Sequence, residues 1–587
     1  MVGRRLYLPL LLVLVSGTYL YTATERAVLD DGDALYAHVA QQMVARGDWV
    51  TPHANGVRFL DKPPMMYWLM ALSYELLGVT EFAARLPSVL ALIGTVCLLY
   101  FMGRQSGEPS AGLAAGLAAA FCVGSFLFTR MVFPDMLFVF FLTLSLASFW
   151  RWFARADDPV LPAMLFYAAL AGAVLTKGLL GLVFPVAILA LFFFLWVRDR
   201  KRLKGLCMGR GILLFLALAV PWHVLAARRN PGFLWYFFVN EQFLRFLGKR
   251  QPFDYESISL PLFWILILVW LFPWTVFLPA ARYLLQSPQG EMKGRRAMIC
   301  LSLSWVAVVL AFFSVSSRIE HYSLPLVPPF ALLLGMTLFP DQSCGLSVQS
   351  RWQRSLDRGF TFLGGFGVML GVGLLLLATL SFGGWLPSPA RPTGSHPLQA
   401  FKYYFAPLFE LPPGTLAGLE GPLIKAALAF SVGTFAAWRI HRRGRRMVAI
   451  LVLSSMMAVF CLLAFESLGV CEEILSSRQF GKVLSRHFKP GDRAIVVGDF
   501  ETANSLNFYA PLLLEVYQGK AAVLEWGLRF SDTPSSIVST RDLQMSWKSS
   551  QRVFLLCPND RVSTLPVARS YVVLRSGGRT LLCNQPL

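Results

Sequence analysis

The sequence predicts a polytopic α-helical membrane protein with a small extracytoplasmic α/β domain at its C-terminal end. Hydrophobic residues make up 56% of the 587 and charged residues 15%, with a mean hydropathy of +0.56; a soluble domain has a different balance. Apolar windows of the ~17–25 residues that a helix needs to cross a bilayer recur along most of the chain. Basic residues fall in every second loop between those windows.

We count thirteen windows, near residues 6–22, 86–103, 110–128, 132–150, 161–176, 178–197, 211–227, 259–280, 298–315, 322–339, 360–382, 420–440 and 447–468. Arg4 and Arg5 precede the first, Arg104 follows the second, and Arg151 and Arg155 follow the fourth. Arg198, Arg200, Lys201, Arg202 and Lys204 follow the sixth; Arg282, Lys293, Arg295 and Arg296 the eighth. Arg351, Arg354 and Arg358 follow the tenth, and Arg439, Arg442, Arg443, Arg445 and Arg446 the twelfth. Under the positive-inside rule those loops are cytoplasmic, the N-terminus lies inside and the C-terminal segment outside. The net charge of +20 is distributed by this alternation, which argues against a nucleic-acid partner. Arg4-Arg5, the apolar run and Ala23 resemble a secretory signal, but the run is long enough to anchor, and either fate leaves the next loop outside.

The chain therefore divides into a membrane domain, 1–468, whose first external loop spans 23–85, and an external domain, 469–587. In the latter, Gly491-Asp492 separates a helix-like stretch, Glu472 to Phe488, from an apolar run at 494–497, with further strand-like runs at 553–556 and 571–574. It has no glycine-rich phosphate loop, CxxC pair or evident catalytic cluster, which points to a structural or acceptor-facing role. Cys557 and Cys583 are candidates for a disulfide there, leaving Cys471 over. Other long external loops fall at 228–258 and 383–419, the second rich in proline and glycine, as a lid would be.

The first external loop carries the chemistry. Asp30, Asp31 and Asp33 stand just beyond the first span, followed by Phe59-Leu60-Asp61-Lys62-Pro63-Pro64. Chemistry on a lipid-linked phosphate needs a carboxylate to accept a proton from the attacking group and a fixed cation for the leaving phosphate. Leu35, Val39 and Met43 predict an amphipathic helix over 33–46 lying on the bilayer. A second helix, Met65 to Leu77, is opened by Pro63-Pro64. Either Asp31 or Asp33 also suits an N-cap, though one cap does not account for three acids. At the span ends, Asp135 is an intramembrane acid, functional or ion-paired with Arg130 or Lys62. Lys177 reaches either a site or the interface. Arg85, Arg245 and Arg318 add cations on the same side, and Tyr67 and Tyr322 suit either hydrogen bonding to a substrate or an interfacial aromatic belt.

The order Asp-rich loop, Gly47-Asp48-Trp49-Val50, Asn55-Gly56, Asp61-Lys62-Pro63-Pro64, Tyr67-Trp68 and Ala84-Arg85-Leu86-Pro87 resembles bacterial members of the protein mannosyltransferase and aminoarabinose (lipid A) transferase family. Arg130 to Asp135, Leu175-Thr176-Lys177-Gly178, Pro221-Trp222, Pro273-Trp274, Phe313 to Ser317 and His321-Tyr322-Ser323-Leu324-Pro325 continue the resemblance to about residue 340. It implies a GT-C fold in a bacterial inner membrane. It also implies an inverting transfer of a sugar from a polyprenyl-phosphate donor to lipid A, another envelope glycolipid or, less readily, a protein at the outer face. The implied catalytic acids are Asp33 or Asp31, with Asp61 and Asp135. Lys62, Arg85, Lys177, Arg245 and Arg318 are candidates for the donor phosphate, and Tyr67, Tyr322 and Glu241 for substrate positioning. No cofactor is demanded, but a divalent cation stays open at Glu241 and Gln242, the latter standing where relatives often carry histidine. Two departures stand out: Gly32 separates Asp31 from Asp33 where relatives have adjacent acids, and Gln242 replaces the histidine. A flippase for lipid-linked glycans is the alternative from another class; it predicts charges near the bilayer midplane, whereas here the charged motifs collect at span ends.

Overall fold

We described the chain from a computed structural model, which describes residues 4–24, 26–106, 108–154, 159–197, 206–252, 257–286, 294–340, 346–382, 416–534 and 536–587. The basic residues Arg155, Arg198 to Lys204 and Lys293, and most of the 383–419 loop, lie outside the described residues. Among them, eleven helices are long and apolar enough to cross a membrane. Two helix pairs, Pro109–Ala120 with Val123–Arg130 and Leu260–Trp270 with Trp274–Leu284, pass the same test but bend by 52° and 94°. Taking each pair as one span gives up to thirteen, matching the windows in the sequence one for one.

The two bends compensate each other. A broken helix in hydrocarbon strands backbone groups that water cannot reach. Here the Val123 N–H donates to the Phe272 carbonyl at 3.3 Å, and the Trp274 indole N–H donates to the Phe121 carbonyl at 3.0 Å. Pro273, which has no N–H to offer a helix, sits at the sharper break.

The loop after the first span folds as two helices around a hairpin. Helix Gly32–Arg46 ends at Gly47, and helix Met65–Leu77 follows Pro63-Pro64. Between them, β1 (His53–Ala54) pairs antiparallel with β2 (Val57–Arg58). Asn55 and Gly56, at φ 51° and 79°, supply the two left-handed residues that such a tight hairpin requires. The first helix is buried well beyond the apolar stripe that its sequence shows. Leu35, Val39 and Met43 are buried, but so are Ala34, Ala37 and His38 elsewhere on its surface, because it is wedged between Met65–Leu77 and the C-terminal domain.

The last span helix, Arg446–Leu475, runs on before a break at Ser476-Ser477; a new helix, Arg478–His487, begins the C-terminal domain. The helix-like stretch from Glu472 to Phe488 is thus two helices. A six-stranded sheet follows, built from β3 (Arg493–Val497), β4 (Leu514–Tyr517), β5 (Ile537–Val538), β6 (Val553–Pro558), β7 (Tyr571–Ser576) and β8 (Arg579–Cys583), in the order β5-β4-β3-β6-β8-β7. The first four are parallel, and β8 and β7 add antiparallel. The alternation along β3 and β6 covers both faces. Ala494, Val496, Phe554 and Leu556 pack with Phe480 and Leu484, while Ile495, Val497, Val553 and Leu555 pack under Leu543 and Trp547 of helix Thr540–Lys548. This alternation also corrects the expected disulfide: Cys557 lies opposite Thr580 and Cys583 opposite Phe554. The two thiols therefore face opposite sides of the sheet, and both are free.

The C-terminal domain is fastened to the first loop. Buried Asn55 donates to the Leu514 carbonyl at 2.8 Å, accepts the Leu514 N–H at 2.8 Å, and accepts from Asn507 at 3.0 Å. Replacing Asn55 by alanine strands these groups away from water, and the expected loss is about 1–3 kcal/mol. A fall in the thermal unfolding midpoint of the purified protein checks it.

Candidate active site

The motif Asp61-Lys62 meets the segment Trp235–Leu244, which is wound as a π-helix, a form concentrated at functional sites. Its wide turn carries Glu241, 2% exposed, into a cluster of cations. Arg245 donates to Glu241 at 2.6 Å, Arg250 donates to its other oxygen, and the Lys62 ammonium stands 3.8 Å away. Arg250 continues to Asp61 at 2.7 Å, and the Tyr236 hydroxyl donates to the other Asp61 oxygen. Burial by itself raises the Glu241 carboxyl, but Arg245, Arg250 and Lys62 outweigh it and hold it at about 2. Asp61 moves up, through burial and the nearby Glu241 charge. Burial, followed by repulsion from Arg245, lowers the Lys62 ammonium to about 8.

Opposite this cluster, Lys177 donates to Asp135 and lies 4.6 Å from the Tyr322 ring; His321 stands 3.7 Å from the other Asp135 oxygen. Lys62, Lys177, Arg245 and Tyr322 line one cavity of about 320 Å³. Glu241, Gln242, Ser316 and Ser317 also reach it, and one wall is apolar, with Leu180, Val183, Phe243, Phe312 and Phe313. A charged end beside a greasy wall suits an amphiphile with an anionic head.

The other expected site residues sit around this cavity in different ways. Asp33 accepts the Leu29 N–H at 3.1 Å and the Val132 N–H, and lies 3.5 Å from Arg85. Asp31 takes the position before the helix at φ 75° without a side-chain cap, its N–H donating to Asn504 at 2.8 Å. Asp30 faces the external domain, accepting from Ser477, from the Ser505 N–H and from Arg579. Tyr67 stacks on Tyr36 at 5.9 Å, and its buried hydroxyl has no partner among the described residues. Arg85, 2% exposed, donates to the carbonyls of Arg26, Ala27 and Arg130. Arg318 donates to the carbonyls of Phe313 and Ser316 and of Ile258, closing the end of helix Gly294–Val315. Neither Arg85 nor Arg318 is among the residues lining the cavity; both tie backbone segments together.

The donor set does not fit a divalent cation. Glu241 is ringed by three cations, and the Gln242 amide oxygen accepts the Leu179 N–H at 3.1 Å. Among the described residues no group of three or more His, Cys, Asp or Glu gathers to hold a metal ion. The glycine between Asp31 and Asp33 also has a physical reason. A Cβ on Gly32 would come within 2.5 Å of the Phe133 ring, which stacks on His321 at 5.4 Å and meets Tyr36 edge-on at 5.6 Å. Sequence reasoning missed Arg250 and Tyr236 as site residues, although Glu241 and Arg245 marked the same 228–258 loop, because their partner Asp61 lies more than 170 positions away.

A family model described as dolichyl-phosphate-mannose-protein mannosyltransferase matches residues 61–224. The chain is 30% identical over 349 residues to undecaprenyl phosphate-alpha-4-amino-4-deoxy-L-arabinose arabinosyl transferase 1 of Pseudomonas fluorescens, covering 58% of this chain and 61% of that one. It is also 30% identical over 391 residues to the corresponding transferase of Pseudomonas aeruginosa, covering 65% and 66%. Over these stretches the chain is similar to the protein mannosyltransferase and aminoarabinose transferase family. The match spans a little under two thirds of the length of these relatives. The family's fold extends over the whole chain: the structure of ArnT from Cupriavidus metallidurans bound to undecaprenyl phosphate superimposes with a TM-score of 0.80 at 21% identity, covering 98% of both chains. The apo form gives 0.77. The architecture is thus a GT-C membrane fold with a C-terminal sheet domain.

Within this family fold, Glu241 is the counter-ion on which the cation cluster rests. Glu241→Gln leaves buried positive charge uncompensated, and the expected destabilisation is about 3 kcal/mol. Glu241→Asp, which keeps the charge, is expected to recover part of that. Thermal unfolding of the two variants beside wild type reads the difference.

Proposed function

We propose that the protein is an inverting glycosyltransferase of the bacterial inner membrane. In this reading it moves a sugar from a polyprenyl-phosphate donor to lipid A or another envelope glycolipid at the outer face, with the N-terminus cytoplasmic and the external domain periplasmic. The observation that carries the reading is the single cavity in which Lys62, Lys177 and Arg245 face an apolar wall. Cations at one end suit a phosphate, and aromatic and aliphatic side chains suit the first isoprene units. The names of the relatives, which act on an undecaprenyl-phosphate sugar, and the ArnT structure with undecaprenyl phosphate bound support the same donor class.

The donor phosphate sits against Lys62 and Arg245, with Lys177 beside it. As the bond from the anomeric carbon to the phosphate oxygen breaks, its electron pair stays on the phosphate, and these fixed cations stabilise that charge. The acceptor oxygen attacks the opposite face of the anomeric carbon and its proton passes to a carboxylate. We assign that base to the acidic loop, at Asp31 or Asp33. Both oxygens of Asp33 accept backbone N–H groups, which hold the loop in place whichever of the two carboxylates takes the proton. The partnerless hydroxyl of Tyr67 is suited to hold a donor or acceptor oxygen. Asp61 and Asp135 hold Arg250 and Lys177 in place.

Transfer of labelled sugar from polyprenyl-phosphate donors to envelope lipid and, separately, to envelope protein tests the reading. Wild type labels the lipid fraction. Lys62→Ala and one of Asp31→Asn and Asp33→Asn reduce transfer at least 100-fold, the order expected for a lost electrostatic or base contribution, and the aspartate so marked is the base. No label moved by folded wild type would remove the proposal.

The Lys62 ammonium adds a pH dependence. It is charged below about 8 and neutral above in the free protein, so affinity for polyprenyl phosphate falls as pH rises through that value. Lys62→Arg, always charged, flattens the profile. Titration of the lipid phosphate into nanodisc-embedded protein between about pH 6.5 and 9.5 measures both curves.

A further inference from the structure

The external domain holds a second cavity, well away from the transfer chemistry in sequence. Chain order reverses between β3 and β6: from β3 the sheet grows outward through β4 and β5, and the chain then returns to lay β6 against the other edge of β3. The crossovers cover opposite faces, so their starts diverge at the carboxyl ends of the strands. That is the position at which parallel sheets bind ligands. Here the crevice is a cavity of about 340 Å³ floored by Val497 and Pro558 and rimmed by Asp499, Gln518, Arg561 and Arg579.

The rim is chemically mixed. Arg561 is exposed, and a guanidinium there offers a fork that matches a phosphate. Arg579 adds positive charge from below; its Nε is buried and partnerless among the described residues. One Asp499 oxygen accepts the Lys520 N–H at 2.8 Å, leaving the other available to a hydroxyl, and Gln518 adds an amide. Gln518 is held at φ 52°, a left-handed conformation that costs a non-glycine residue energy and clusters at ligand sites. We propose that this crevice binds a phosphorylated sugar, the phosphate on Arg561 and Arg579 and the hydroxyls on Asp499 and Gln518. Arg579 also donates to Asp30 at 3.1 Å and to the Thr502 carbonyl at 2.9 Å. A ligand that draws on Arg579 is therefore felt at the acidic loop.

The test uses full-length protein in nanodiscs, without any polyprenyl donor, so that its outcome is independent of the transferase reading. Glucose 1-phosphate, glucose and inorganic phosphate are titrated calorimetrically. A flotation assay compares vesicles bearing a phosphorylated glycolipid with vesicles of phosphatidylglycerol. Glucose 1-phosphate is expected to bind more tightly than glucose or phosphate alone, with affinity reduced at least tenfold in Arg561→Gln and in Asp499→Asn. Hydrogen exchange is expected to slow over residues 498–503 and 29–33 on binding. Selective flotation without binding of the soluble probe assigns the sugar phosphate to a lipid headgroup, and binding of the soluble probe assigns it to a free metabolite; either supports the site. No binding by any probe, or equal binding by wild type and both variants with unchanged unfolding midpoints, overturns it.

Discussion

An ion buried at the edge of a bilayer costs several kcal/mol unless a counter-ion meets it, and the arrangement of this protein follows from that constraint. Three cations converge on Glu241 and one of them, Arg250, also meets Asp61. Lys177 is likewise neutralised by Asp135. The pairing does not consume the positive character of the site: Lys62, Arg245 and Arg250 outnumber Glu241 and Asp61 by one. In the proposed reading, an anionic headgroup entering the cavity completes a balance that the protein alone leaves positive, so that a stable resting cluster and a phosphate site coexist in the same residues.

Holding that cluster requires elements far apart in sequence to meet at fixed depth. The Pro63-Pro64 pair ends the strand-like approach of Asp61-Lys62 and starts the next helix. The π-turns of Trp235–Leu244 place Glu241 inward, while Arg318 and Arg85 bind carbonyls at segment ends. The two bent spans belong to the same economy of backbone groups, since each break supplies a partner to the other. Rigid surroundings of this kind let a cationic cluster act without reorganising as charge develops.

The C-terminal domain is a second structural partner of the acidic loop. Asp30, Asp31 and Asn55 all bond to it, so the three aspartates, though adjacent in sequence, have separate surroundings. Asp30 belongs to the domain interface, Asp33 to the backbone of the Arg130–Asp135 segment, and Asp31 lies between them at a strained backbone angle. Gly32 is the residue that lets the loop pass the Phe133 ring.

Much of this architecture was legible in the sequence. Hydropathy placed all thirteen windows on observed helices or bent pairs, because the bilayer sets a length that the chain must satisfy locally. Pro63-Pro64 as a helix start and the apolar runs of three sheet strands were readable for the same local reason, whereas the hairpin at Asn55-Gly56 was not read from the sequence. The sequence also pointed to Lys62, Lys177, Arg245, Glu241 and Tyr322, which the fold brings to one cavity. Only the tertiary structure decided which charges pair. Arg250 and Tyr236 reach Asp61 across more than 170 positions of chain, and Arg85 and Arg318 turn to carbonyls instead of the cavity. It also decided that Cys557 and Cys583 face opposite sides of a sheet whose register neither residue reveals. Helix formation and membrane crossing depend on neighbours along the chain, whereas counter-ion choice depends on distances that exist only after the spans have packed.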